Sequence, residues 1–260
     1  MTSGSGSVEG SRVSEVSTEH PIIRSTYRHG DLRGALVAAG LSMARAGGPD
    51  AVVLREATRQ AGVTPNAAYR HFADRGALLR AVSDAAQGLA ADRMEVEVTA
   101  ALGGTPDVTL GTTAAAAAAV ETVHPPAVAQ AARSAGAHPS PDEARRMLRA
   151  VGTGYLRFAR EEPGLFRAAF SVPDHLMNST APAKAGVAGR TPFGILSAAL
   201  DAYAAAGILP PERRQNAELY AWSAVHGLGM LVIDGPLRGL DDTMVDAATT
   251  RVLDMVERGL

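Results

Sequence analysis

Residues 62–72 read GVTPNAAYRHF and gather side chains able to hold a polyanion. The Asn66 amide can offer a donor and an acceptor together to an adenine edge, the pattern of bidentate base reading. Tyr69, Arg70 and His71 carry groups of the kind that grip phosphate oxygens. Only 4% of the chain is aromatic, so Tyr69 and Phe72 beside Arg70 and His71 call for a reason. Helical spacing supplies one. Ala68 and Phe72, four apart, can pack inward, while Asn66, Tyr69 and Arg70 fall on other sides and His71 lies near the end. One ring packs and the other groups reach out.

These groups need elements to hold them. Gly62 suits the left-handed position that ends a short helix over residues 54–61. Thr64 can cap the next helix, with Pro65 at its first position, where the missing N–H costs nothing. That helix is expected to run through Phe72. Asp74 then caps a longer helix carrying Leu78, Leu79, Val82 and Leu89. Upstream, Leu32, Ala35, Leu36, Ala39 and Met43 repeat at helical spacing between Asp31 and the Gly47-Gly48-Pro49 stop. Two short helices joined by a glycine turn and braced by a longer one make a helix-turn-helix.

Charge agrees with that reading. Residues 24–80 hold nine arginines against four acids, while the whole 260-residue chain carries −2. A basic segment on an acidic body points to an anionic partner at one end. The chain has no cysteine, which excludes thiolate chemistry and disulfides. Its seven histidines are scattered, so no metal site is expected. No nucleophile elbow, phosphate loop or zinc-protease pair is present, so no catalytic residue and no cofactor is assigned. Residues 1–24 read as a disordered Ser/Gly/Glu tail. The absence of a signal sequence or a long apolar run makes a cytoplasmic protein without a membrane partner the expectation.

The stretch VLREATRQAGVTPNAAYRHFADRGALLRAV, residues 53–82, resembles the DNA-binding domain of the tetracycline-repressor (TetR) family, and TYRHGDLRGAL, residues 26–36, resembles its first helix. The resemblance covers about 60 residues. It places Thr64, Pro65, Asn66 and Ala67 at the recognition-helix start. It puts Tyr69, His71 and Arg75 against phosphate, with Arg55 near a backbone contact. Arg28 and His29, in the arm before the first helix, are either phosphate contacts or solvated. Val53 departs from the family's capping Ser or Thr, and Ala57, Thr58 and Ala68 depart from its usual packing residues.

The rest of the chain reads as helical. Thr112–Ala137, with a six-alanine run and Pro125-Pro126, reads as a mobile insertion, and residues 171–190 as a mobile loop. A helix over 212–234 is apolar on two sides: Leu219, Trp222, His226, Met230 and Ile233 form one stripe, and Ala221, Val225, Leu228 and Val232 another. The expected assignment gives the second stripe, with Val252 of the last helix, to a dimer seam. It gives Trp222, His226 and Met230, with Tyr155, Phe158, Phe166 and Phe170, to an effector pocket; plain core packing is the other reading of these rings and of His226. AWSAVHGLGML and EEPGLFRAAF resemble the effector domain of one TetR subfamily with a Trp-x-x-x-His-Gly signature.

The expected protein is therefore all-α. It has a helix-turn-helix DNA-binding domain over residues 25–82 and a helical effector-binding and dimerisation domain over 83–260. The resemblance implies a homodimeric repressor that a small molecule releases from a palindromic double-stranded DNA operator. The competing reading is a dimeric ligand-binding module that no longer binds an operator.

Overall fold

Most of the helices begin where side chains or prolines can deal with the unpaired amides of a first turn. The computed structural model describes residues 31–105 and 139–260. The expected tail at 1–24, Arg28, His29 and the alanine-rich segment 112–137 lie outside the described residues.

Helix α1 (Leu32–Gly47) is capped by Asp31, which accepts from Gly34 N at 2.7 Å. A 3-10 turn at Pro49–Ala51 leads to α2 (Leu54–Gln60), whose N-cap Val53 has no polar atom to offer. Gly62, at φ 67°, turns the chain in the left-handed region. Thr64 then opens α3 (Pro65–Tyr69) by accepting from Ala67 N. This helix is shorter than expected: Arg70 caps it and His71 lies in the turn that follows. Asp74 accepts from Ala77 N at 2.7 Å and starts α4 (Arg75–Ala101), 27 residues long. The expected domain boundary at 82 falls inside α4, so this helix runs from one expected domain into the other.

Helix α5 (Pro141–Glu161) opens with a reciprocal capping box between Ser140 and Glu143. It is followed by α6 (Pro163–Ala169), two 3-10 turns at Leu176–Asn178 and Pro182–Lys184, and α7 (Pro192–Ala205). A short α8 (Pro211–Arg214) precedes α9 (Ala217–Ile233) and α10 (Asp242–Gly259). The single helix expected over 212–234 is thus two helices. Asn216 sits at φ 61°, a conformation that asparagine tolerates better than most residues and that no helix can contain. Among the described residues there are ten α-helices and no strand.

Helix α4 shows how these elements pack. Leu78, Val82, Ala86, Ala90, Met94 and Val98 recur every four residues and are all buried. The alanines let neighbours approach closely, and Gly154 of α5 faces Met94: a Cβ there would lie 2.6 Å from the Met94 Cα and 3.0 Å from the Arg93 carbonyl oxygen. The described residues cluster as one compact unit by contacts.

Candidate nucleic-acid interface and buried cavity

The division of the opening motif holds in three dimensions. Ala68 is 0% and Phe72 3% exposed, whereas Tyr69 is 58% exposed. Thr64, Pro65, Asn66, Arg70 and His71 are also exposed, as is Arg55 at the start of α2; Ala67 is half-buried. One further basic group belongs to this end: the Arg33 guanidinium lies 5.4 Å above the Phe72 ring, a cation–π contact that fixes it beside α3. Its type and charge were visible in the sequence, but the pairing crosses two helices.

Arg75, expected to meet phosphate, already has partners within the chain. Its Nε donates to the Val52 carbonyl at 2.8 Å and its Nη2 to the Pro49 carbonyl at 2.7 Å, with Asp50 3.7 Å away, while the side chain stays part-exposed. The guanidinium ties the turn between α1 and α2 to the first residue of α4.

A cavity of about 60 Å³ lies deeper in the chain. Its walls come from α4 (Gln87, Met94), α5 (Leu148, Val151, Gly152, Tyr155), α7 (Phe193, Leu196), α9 (Ala221, Trp222, Val225) and α10 (Leu253, Val256), with Phe170 and Ser179 between helices. Of the expected pocket residues, Tyr155, Phe170 and Trp222 line it. Phe158 and Phe166 lie behind them in a ring cluster, Phe166 against Tyr155 with centroids 5.3 Å apart. His226 stacks on Phe166 at 5.5 Å. Met230 is 36% exposed and lines no part of the cavity.

A polar chain runs through this cluster. Trp222 Nε1 donates to the Tyr155 hydroxyl at 3.1 Å, and the same hydroxyl shares a hydrogen bond with His226 Nδ1, 2.8 Å away. Burial pushes the Tyr155 pKa up and the His226 pKa down, which favours the neutral form of both.

The expected dimer seam is corrected by burial. Ala221, Val225 and Leu228 are 4%, 8% and 6% exposed and pack within their own protomer. Ala221 and Val225 face the cavity, and Val225 lies beside Gly152 of α5. Val232 and Val252 are half-buried against the same core. The solvent-facing stripe of α9 is instead Leu219, Tyr220, Ser223, Gly227, Met230 and Leu231.

The loop over 171–190, expected to be loose, is fastened to α4. Arg190 forms a two-pronged pair with Glu95 at 2.6 and 2.5 Å, Lys184 bonds Asp174 near Asp84, and Asp92 Oδ1 accepts from Val187 N at 2.7 Å. Gly88 lets the loop settle, since a Cβ there would lie 2.8 Å from the Ala185 carbonyl oxygen. Burial pushes the Asp92 carboxyl up to about 6, against the lowering effect of the Val187 amide, and nearby Glu95 adds to the rise. A folded value above the unfolded one means that this group favours folding most below pH 4 and loses that contribution as pH rises through 6. The difference is about 3 kcal/mol. Asp92→Asn should therefore flatten the stability profile between pH 4 and 7 by up to that amount, as read from urea midpoints beside the parent. Superimposable profiles would discard the assignment.

A basic helix-turn-helix end joined by one long helix to a domain with an apolar cavity defines a DNA-binding transcriptional regulator. Residues 36–82 match the family described as bacterial regulatory proteins, tetR family, and residues 148–256 match the tetracyclin repressor-like C-terminal domain. The chain belongs to the TetR family. A solved structure of a protein with unknown function from Rhodococcus sp. RHA1 is similar over 91% of this chain and 99% of that one, at 28% identity and a TM-score of 0.51. No curated protein matches. Among the described residues, no helix is long and apolar enough to cross a membrane, and no acidic, histidine or cysteine cluster could hold a metal.

Proposed function

We propose that the chain acts as a homodimeric repressor whose operator affinity falls when a small molecule fills the cavity. The observation that carries this is the position of α4. The helix begins beside the DNA-facing α3, and its Gln87 and Met94 form part of the cavity wall. A guest that needs more room must shift that wall, and a ligand moves an equilibrium only through such differential contacts.

Two copies bring two α3 helices to successive major grooves, about 34 Å apart. The face available for pairing is Tyr220, Gly227 and Leu231 of α9 with Met244 and Met255 of α10. A Cβ on Gly227 would meet nothing within 4 Å, so a partner helix can come close at the middle of this apolar stripe. Arg55, Tyr69, Arg70 and His71 then hold phosphate while Asn66 reads a base.

The test begins by selecting a preferred duplex from a random pool with the full chain. Asn66→Ala should weaken that duplex by about 1–3 kcal/mol and leave random DNA almost unchanged. Failure to enrich any sequence would favour the competing ligand-binding module. Equal losses on both DNAs would assign Asn66 to the backbone.

A further inference from the structure

The cavity lining limits the chemistry of its occupant. None of the lining residues carries a charge. The Trp222 N–H and the Tyr155 hydroxyl are already committed, one to the other and then to His226. The remaining polar groups are Gln87 and Ser179. Gln87 donates its amide N–H to the Ala169 carbonyl at 2.9 Å, and its own side-chain carbonyl has no partner among the described residues. A carboxylate or ammonium ion entering this space would lose its water and meet no counter-charge, which is the most costly form of burial.

We infer that the cavity selects an uncharged, predominantly apolar molecule with one hydrogen-bonding group and rejects organic ions. The inference rests on the effector reading above and adds the ligand class. At about 60 Å³ the space is smaller than the roughly 150 Å³ apolar cavity that accepts benzene. A ring-sized guest therefore enters only as side chains of the wall give way. The single hydrogen-bonding group goes to Gln87 or Ser179, the two polar side chains left for it. The rest of the guest meets Leu148, Val151, Leu196 and Val225 by contact alone.

The chain carries its own reporter, because Trp222 is its sole tryptophan and forms part of the wall. The full chain would be titrated at pH 7 with toluene, benzyl alcohol, benzoate and benzylammonium, following Trp222 emission and the thermal midpoint. The neutral probes should give saturable emission changes and raise the midpoint. The two ions should bind at least about 100-fold more weakly. Ala221→Leu, which fills the space with side-chain carbon, should lose the neutral response while keeping parental circular dichroism. Val225→Ile, a smaller addition, should lose part of it and serves if the first variant does not fold. Benzoate or benzylammonium binding as tightly as benzyl alcohol would overturn the inference, as would no saturable response to either neutral probe up to its solubility. Titrating the selected duplex in the same samples separates the two readings. Neutral probes that bind without releasing DNA would uphold the ligand class and remove the release mechanism.

Discussion

A Leu231→Glu protein is expected to sediment as a monomer with parental helix content. Leu231 is 44% exposed on the outward stripe of α9, so its replacement leaves the protomer core untouched. In the proposed dimer the new carboxylate is desolvated near its own symmetry copy, where like charges cannot pair and burial costs several kcal/mol. Loss of the second half-site should then lower affinity for the selected duplex by at least about 100-fold. Val225→Glu makes the contrast. That side chain is 8% exposed and faces the cavity, so the variant should lose thermal stability instead of dissociating cleanly. A Leu231→Glu protein that stayed dimeric at micromolar concentration would move the interface elsewhere.

Gly154→Val should be the most destabilising of the single changes considered. The β-carbon it adds meets the backbone of α4 and not a side-chain tip that could swing away. Backbone cannot yield without parting α4 from α5, and both helices carry cavity walls. Overpacking of this kind costs about 3 kcal/mol or more, since no rotamer relieves it. Urea unfolding measures the loss directly, and the cavity response of Trp222 should weaken with it. A variant with the parental urea midpoint would show that the two helices are not held at this distance in solution.

The parts of this structure that were legible in the sequence are those set by local rules. Gly62, Thr64 and Pro65 announce the turn between α2 and α3, because each is chosen for a backbone conformation or an orphan amide that neighbours in sequence decide. The inward Ala68 and Phe72 and the outward Tyr69 follow from helical period alone. The faces of α9 were not legible in this way. Apolar residues surround much of that helix, so period cannot say which stripe meets α5 and α10. The carbonyls that occupy Arg75 belong to residues 23 and 26 positions earlier, and nothing in the type or spacing of an arginine reveals such partners. The fastening of residues 171–190 was hidden for the same reason. Asp92, Glu95 and Arg190 are ordinary charges in sequence and become partners only when the loop folds back on α4. The break at Asn216 was hidden because asparagine also sits within helices, so its type alone does not mark a left-handed backbone.

The grip of Arg75 on Pro49 and Val52 makes α4 a lever arm. With its first residue fastened to the turn ahead of α2, the reading head cannot swivel freely on the helix that carries it. From Met94 at the cavity to Arg75 the rise is about 29 Å, so a tilt of about 5° about Met94 carries the head by about 2.5 Å. In the proposed dimer, two such heads would change their separation by up to about 5 Å, set against a groove repeat of about 34 Å. On the proposed release mechanism, a guest that tilts α4 at Met94 by a few degrees would be amplified into a mismatch with the duplex, and loosening Arg75 would let the heads keep their grip while the arms move.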